Sequence, residues 1–522
     1  MKTKSFIPIC ILLCATLFYF SCRSTTQTGL SDQRIEEGKK LAEKNCQSCH
    51  LFPDPKLADS KTWEKGILPQ MGPRLGVFFY QDLRYPSYRF DFSTPTNYYP
   101  NQQKVSDDDW QKIIDYYTKE SKDKNDSIQN RKYPIVNELP LFNVLIPSNR
   151  SNQPASTLVK FDTSSTSAPI IVSDAMNHTI KRYDAKLQLF DSMITKGPVV
   201  DIEINKSNWL ICDIGILNPN NGKNGSINKL MKNASNKLMK EKQKPEIDLL
   251  QRPVQLISAD FNKDGKEDRL VCEFGFLSGG LSWMENKGNG KYEKHILKGE
   301  PGAIKAIVDD YNHDGLPDIW VLFTQGEEGI FLYTNKGNGK FTQTQVLRFP
   351  PINGSSYFEL VDMNHDGFKD IIYTCGDNAD YSTGLKSYHG VYIYLNDGKN
   401  NFTEKFFFPI NGCYKAVARD FDNDGDLDIA TISFFADYEH QPEEGFVYLE
   451  NQGNLDFKPY SLPATKNGRW LTMDVADYDH DGKPDIILGN FSLLSTFQQI
   501  KTNWKEGSAF MILKNTGLIP KH

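Results

Sequence analysis

Five nine-residue segments recur from the middle of the chain onward, and no other feature narrows the fold as much. They read DFNKDGKED from Asp260, DYNHDGLPD from Asp310, DMNHDGFKD from Asp362, DFDNDGDLD from Asp420 and DYDHDGKPD from Asp477. Their starts lie 50, 52, 58 and 57 residues apart. Each is followed by a short run of β-branched and aromatic residues: RLVCEFG, IWVLFT, IIYTCG, IATISF and IILGNF. A second such run ends in an Asn-Gly-type turn, as in LSWMENKGNG, IFLYTNKGNG, VYIYLNDGKN, FVYLENQGN and AFMILKNTG. Runs of this length and composition are strands, not helices. A unit this small cannot bury both faces of its own sheet, so neighbours must cover it. Radial stacking into a propeller does this and protects the sheet edges.

The period continues upstream without the acids. Val199-Val-Asp-Ile-Glu-Ile precedes Trp209-Leu-Ile-Cys-Asp-Ile-Gly, and Pro169-Ile-Ile-Val-Ser-Asp and Thr179-Ile-Lys-Arg-Tyr-Asp read as strands of a further blade. Two degenerate units and five clear ones make seven blades; six or eight stay open because the first and last strands can share one. Residues 218–248 read as an insertion, partly helical and basic, projecting from one face. The stretch from 245 to 517 resembles the FG-GAP/VCBS-type repeat of integrin-like β-propellers.

In every segment an acid or amide stands at positions 1, 3 and 5, glycine at 6 and an acid at 9. Oxygen donors at alternating positions of a tight turn can converge on a hard cation, and calcium takes six to eight of them. The candidate sites are Asp260/Asn262/Asp264/Asp268, Asp310/Asn312/Asp314/Asp318, Asp362/Asn364/Asp366/Asp370, Asp420/Asp422/Asp424/Asp428 and Asp477/Asp479/Asp481/Asp485. The layout resembles the first part of an EF-hand loop, but flanking strands exclude that motif. Ordinary Asx turns are the competing account. Recurrence in register favours up to five calcium ions with a structural role. The loops at Asp420 and Asp477 hold the most acids and are expected to bind best. Magnesium, with its strict octahedron, fits less well. The histidines His313, His365 and His480 share one loop position and read as turn residues.

The amino-terminal part differs. Lys2 and Lys4 precede an apolar run from Ile7 to Phe20, which reads as a signal peptide and is short for a membrane span. Ser21-Cys22 resembles a bacterial lipoprotein signal, which implies lipidation at Cys22. Residues 1–21 are then the signal and 22–30 a polar tether. Cys46-Gln47-Ser48-Cys49-His50 follows a helical pattern from Asp32, capped by Ser31 or Asp32, with Ile35, Leu41 and Ala42 facing inward. Two cysteines with two residues between them and a histidine directly after fit thioether attachment of one haem c, with His50 on the iron. A redox dithiol and a partial zinc site are the competing readings. No βαβ unit accompanies the pair, and no further Cys or His occurs before His178. Met71 is the candidate sixth ligand, in a loop stiffened by Pro and Gly, with a plain core methionine as the alternative. Val105 to Tyr117 reads as a second helix, capped by Ser106, with Trp110, Ile113, Ile114 and Tyr117 on one face. Residues 31–122 resemble a class I cytochrome c domain, and Phe78 to Tyr99 reads as an added cover or a face toward the next domain. A polar linker spans 123–140 and the propeller 141–522.

The fold class is thus multidomain: a small all-α cytochrome c domain followed by an all-β propeller. Net charge is −6, and no Lys/Arg cluster with interleaved aromatics occurs, which argues against a nucleic-acid partner. The chain carries no HExxH, phosphate loop or Ser/His/Asp nucleophile pattern, and CxxCH occurs once. The reading that follows is an exported haem c protein that transfers electrons to a redox partner protein or membrane complex, with the propeller as docking or scaffold domain. Two alternatives stand beside it: a periplasmic oxidoreductase with a small-molecule or glycan ligand on the propeller, and a binding or adhesion module. The expected location is the periplasm or outer membrane of a Gram-negative bacterium, with membrane contact through a lipid anchor only. Cys212, Cys272, Cys375 and Cys413 can pair in an oxidising compartment.

Overall fold

The computed structural model describes residues 31–78, 95–121, 130–151, 153–205, 208–239, 244–377, 384–493 and 507–518. The signal and tether with Cys22, residues 79–94 of the aromatic segment and residues 123–129 of the linker lie outside the described residues. Among the described residues, no helix is long and apolar enough to cross a membrane.

Seven antiparallel sheets form a seven-bladed propeller. Blade 1 runs through Ser156–Phe161, Ile170–Asp174, Thr179–Tyr183 and Leu189–Ile194; blade 2 through Val199–Ile204, Asn208–Asp213, Gly225–Lys232 and Ile247–Leu250. Blade 3 holds Pro253–Ala259, Asp268–Glu273, Gly280–Gly288 and Lys291–Lys298; blade 4 Ala303–Asp309, Asp318–Phe323, Gly329–Asn335 and Phe341–Arg348. Blade 5 holds Ser355–Val361, Asp370–Cys375, Gly390–Asn396 and Phe402–Pro409; blade 6 Cys413–Arg419, Asp428–Ser433, Phe446–Asn451 and Phe457–Tyr460. Blade 7 takes Trp470–Ala476, Asp485–Asn490 and Phe510–Asn515 from the end of the chain and Phe142–Leu145 from before blade 1. The first and last strands therefore do share a blade, and the count is still seven. Phe142 lies opposite Asn515 in this closing pair.

The second strands are buried along their whole length, which explains their unbroken apolar runs. The inner strands face the axis and stitch neighbouring blades together. Asp201 accepts from Leu256 N (3.0 Å), Gln255 from Ala306 N (2.6 Å), Glu359 from Ala418 N (2.9 Å) and Asp474 from Phe161 N (2.9 Å). Lys160, Lys305 and Lys415 also project from inner strands. Lys305 and Lys415 place their ammonium groups 5.5 and 4.8 Å from the centre of the Tyr357 ring.

The region 218–248 is not a helical insertion. Gly225–Lys232 and Ile247–Leu250 are the third and outer strands of blade 2, and Ile227 pairs with Cys212. Burial of Ile227, Leu230 and Leu250 between blades outweighs the helical bias of the Lys/Leu/Met-containing stretch.

The helical unit before the propeller has two main helices, α1 (Asp32–Cys46) and α4 (Asp107–Glu120), with α2 (Ser60–Thr62) and α3 (Leu68–Met71) between them. Ser31 and Ser106 cap α1 and α4, accepting from Arg34 N and Asp109 N. The long helices touch at Gly38: a Cβ there would sit 2.1 Å from Lys112 O. Arg34 Nε bonds Asp115 at 2.6 Å across the crossing. Ala42, Trp63, Ile67, Trp110, Ile113 and Tyr117 form the core, and Ile352 of the propeller joins it. Met71 ends α3 and is followed by a tight turn of helix over Gly72–Leu75, so its surroundings are helical rather than an irregular loop. Within the linker, Arg131 donates to Pro409 O (3.0 Å) and Gln441 Oε1 (2.7 Å) and ion-pairs closely with Glu444, holding this segment on blade 6.

Candidate metal centres and the thiol–histidine motif

Each acidic segment joins the inner strand of a blade to its second strand, so all five lie on one rim of the propeller. The position-1 carboxylate closes the turn. Asp260 accepts from Asp264 N (3.1 Å) and Gly265 N (2.8 Å), and Asp310, Asp362 and Asp477 repeat the pattern at 2.9 to 3.2 Å. Asp420 accepts from Gly425 N at 3.2 Å. Position 4 is left-handed: Lys263, His313, His365, Asn423 and His480 have φ of 61°, 57°, 59°, 62° and 61°. The histidines are therefore turn residues, as their spacing suggests. The glycine at position 6 is also left-handed, with φ from 78° to 100° (Gly315 to Gly425).

Position 9 has a different task from the one expected of a surface ligand. Asp268, Asp318, Asp370, Asp428 and Asp485 are fully buried. One oxygen of each accepts the backbone N–H of an asparagine on the third strand, at 2.7 to 2.9 Å: Asn286, Asn335, Asn396, Asn451 and Asn515. Those asparagines in turn accept from the glycine two residues on and donate to the carbonyl preceding position 9. Asn335 and Asn515 also reach the neighbouring blade, donating to Phe261 O (2.9 Å) and Phe421 O (2.7 Å). The recurring Asn-x-Gly was the signal for this latch in the sequence.

The carboxylates converge in two loops. Asp420/Asp422/Asp428 and Asp477/Asp479/Asp485 each bring one oxygen per residue within 4.8 Å of the others. These are the loops with Asp at position 3; Asn262, Asn312 and Asn364 put an amide there. Position 5 does not join either group. Asp264, Asp314, Asp366, Asp424 and Asp481 each accept from the backbone N–H two residues on, at 2.8 to 3.0 Å. Buried oxygens of Asp318, Asp420, Asp479 and Asp485 have no hydrogen-bond donor among the described residues. Burial, with the neighbouring acids adding, pushes Asp422 up to about 6 and Asp485 up to about 7, and burial drives Asp428 to about 8. Crowded, undersatisfied carboxylates of this kind attract a hard cation. In blade 7 the Lys514 ammonium ion-pairs closely with Asp479 and supplies part of that positive charge.

A third group, Glu285, Glu293 and His295, lies beside the first loop, where Asn262 donates to Glu285 at 3.0 Å. Lys287 already bridges Glu285 and Glu293 at 2.8 and 2.9 Å. A groove of about 530 Å³ is lined by Ile194, Lys196, Lys229 and Lys244 among others. Cys212, Cys272, Cys375 and Cys413 are free and buried.

Cys46 ends α1 half-buried in the helical core, Cys49 is exposed, and both are free thiols. Burial pushes the Cys46 thiol up to about 11. His50 Nδ1 lies 2.9 Å from Leu51 O. With the proton on Nδ1, this leaves Nε2 as the free donor atom. Met71 packs half-buried in the same core. The Trp110 indole N–H is buried with no partner among the described residues. Two crossed helices and the turns between them do not by themselves define a cytochrome c fold.

A family model described as FG-GAP-like repeat matches residues 260–321 and 310–373. The chain thus contains a seven-bladed β-propeller domain with FG-GAP-like repeats. It is 25% identical over 197 residues to the T-cell immunomodulatory protein homolog of Plasmodium falciparum (isolate 3D7), covering 32% of this chain and 26% of that protein. It is 26% identical over 208 residues to cartilage acidic protein 1 of Xenopus tropicalis, covering 35% of this chain and 29% of that protein. The chain thus spans less than a third of the length of these curated relatives. Among solved structures, an ancestral GH74 enzyme aligns with TM-score 0.45 and 9% identity over 73% of this chain and 52% of that one. Streptogramin B lyase aligns with TM-score 0.42 and 10% identity over 72% and 98%. Likenesses this distant carry no functional argument.

Proposed function

We propose that the protein is an exported binding module whose propeller is stabilised by calcium in its rim loops. The observation that carries this is the convergence of Asp420/Asp422/Asp428 and of Asp477/Asp479/Asp485, with buried carboxylate oxygens that lack donors. A cation there neutralises each cluster and ties the loop to the blade behind it. The other three loops, with an amide at position 3, are the weaker sites. Calorimetric titration of the chelator-treated protein with calcium tests this. Two tight sites and a rise in melting temperature are expected; no heat and no rise would sink the proposal.

A second reading rests on a separate observation: Cys46, Cys49 and His50 stand together at the end of α1, with Nδ1 of His50 engaged by Leu51 O and both thiols free. The donor set of these residues, two free thiols and one imidazole, fits one covalently held haem c. Cys46 and Cys49 would form the thioether links, His50 would ligate the iron, and Met71 is the candidate second axial ligand. Such a group supplies one-electron transfer. The propeller then serves as the scaffold that presents it to a redox partner protein or membrane complex. A lipid at Cys22 would hold the molecule at a periplasmic or outer-membrane surface. A pyridine-alkali spectrum of protein matured with a haem-attachment system tests the haem, and its absence would leave the binding module alone.

A further inference from the structure

The seven inner strands share one irregularity. Each shifts register against its second strand between its first and third residues, from Ser156/Leu158 in blade 1 to Trp470/Thr472 in blade 7. The third residues therefore form one layer around the axis. Six of its seven places are polar: Asp201, Gln255, Lys305, Tyr357, Lys415 and Thr472. All six are only part-buried, so solvent still reaches them. In blades 2 and 3 this layer serves the backbone. Asp201 and Gln255 accept the N–H of the fourth residue in the next inner strand, Leu256 (3.0 Å) and Ala306 (2.6 Å). In blades 4 and 5 the same place holds Lys305 and Tyr357. The matching N–H groups, those of Phe358 and Ala416, meet no such side-chain acceptor among the described residues. Lys305 makes no hydrogen bond or ion pair among the described residues, and its ammonium lies 5.5 Å from the centre of the Tyr357 ring. Lys415, from the blade on the other side, brings a second ammonium to 4.8 Å from that centre and donates to Met473 O at 2.8 Å. The acids two residues further along their strands are engaged, Asp474 by Lys160 (3.3 Å) and Glu359 by Arg419 (2.8 Å). Across blades 4 to 6 the layer thus presents two ammonium groups and two backbone N–H groups, and no anion of its own.

We propose that this arc binds the carboxylate of a small organic acid in the axial channel. The other blades point to that group. Where an acid or amide stands in the layer, its oxygen caps the next strand's N–H, and a ligand carboxylate would do the same at Phe358 and Ala416. Lys305 and Lys415 would add charge-assisted bonds, which are about twice as strong as neutral ones. Asp201, on the opposite arc, disfavours a second anionic group, so the ligand is a monocarboxylate. The inference rests on the binding-module reading and gives that module its ligand; it does not need the rim cations.

The test is a ligand-observed NMR titration of the full chain with acetate and lactate, and with lactamide as the uncharged counterpart. The two acids are expected to bind and lactamide is not. Lys305→Met and Lys415→Met should each weaken lactate binding about tenfold or more, the loss expected for a hydrogen bond to a charged group. Lys305→Arg keeps the charge and retains binding, which separates loss of the site from loss of the fold. Lys336→Met, in the turn between the third and outer strands of blade 4, leaves binding unchanged. A wild-type chain that binds neither acid, or binds lactate and lactamide alike, overturns the inference. So does lactate binding that is untouched in both methionine variants, or tighter binding of inorganic phosphate than of lactate. Calcium binding in the rim loops without carboxylate binding overturns this inference alone; lactate binding without calcium binding supports it and overturns the calcium reading instead.

Discussion

At the scale of single residues, the nine positions of the acidic segment divide their labour. Asp428 accepts from Phe421 N (3.2 Å), Asn451 N (2.9 Å) and the Tyr448 hydroxyl (2.7 Å), all in the interior. Asp428→Ala orphans these donors, and each buried unsatisfied group costs about 1–3 kcal/mol. Urea unfolding is expected to show that loss already in chelator, and a larger one in calcium, where the cluster also loses a carboxylate. Asp422→Asn keeps the latch and removes one carboxylate of the cluster. It should leave stability in chelator nearly unchanged and diminish the stabilisation that calcium gives. Lys415 makes a separate prediction. Its ammonium donates to Met473 O at 2.8 Å, and burial lowers it to about 8 against Asp474 and Glu359, which raise it, and beside Lys305 and Lys160, which do not. A lysine lowered in the folded state binds fewer protons than the unfolded chain between pH about 8 and 10.5, so its contribution grows with pH across that window. The stability difference between wild type and Lys415→Met should therefore rise from pH 8 to 10.5; a flat difference refutes the assignment. The acids were legible because they recur in register. The axial lysines were not, since each stands alone in its own strand and only closure of the ring brings them together.

At the scale of elements, the capped helices and the second strands were readable because each carries its signal locally. Ser31, Ser106 and the apolar face of Trp110, Ile113 and Tyr117 suffice for α1 and α4. The strands of blade 2 beyond Asp213 were not readable. Gly225–Lys232 has no alternating pattern strong enough to outweigh its helix-forming residues, and its identity comes from pairing with Asn208–Asp213. The contact between α1 and α4 was also hidden, because one glycine reveals nothing until its partner is known. Gly38 now carries a definite expectation. Any side chain there meets Lys112 O, and Tyr116 Cβ would lie 2.9 Å from the new Cβ. Gly38→Leu should separate the helices and cost the helical unit about 1–3 kcal/mol or more. Near-ultraviolet circular dichroism of the Trp63 and Trp110 environment checks this, with the strand signal of the propeller unchanged.

At the scale of the molecule, the chain is closed on itself twice. Phe142–Leu145 completes blade 7, and a few residues earlier Arg131 is sunk into blade 6, more than three hundred positions from its partner. Glu444 has no exposed side-chain surface, and Asn411 also donates to it at 3.0 and 3.2 Å. Burial raises Glu444 to about 7 despite the pull of the Arg131 guanidinium, so desolvation outweighs the ion pair. A carboxyl raised above its unfolded value favours the fold at low pH, and that contribution is lost as pH rises through about 7. Without Arg131 the charge at high pH has no counterion, and breaking one side of a buried pair costs about 3–5 kcal/mol. Arg131→Ala should thus destabilise the protein more at pH 8 than at pH 5.5, where Glu444 takes up a proton. Adding Glu444→Gln removes the buried charge, keeps an acceptor for Asn411 and should erase that pH dependence. Urea unfolding of the two single variants and the double variant at both pH values closes the cycle. Equal costs at pH 5.5 and 8 would show that Arg131 holds the segment by its bonds to Pro409 and Gln441 and not through the carboxylate.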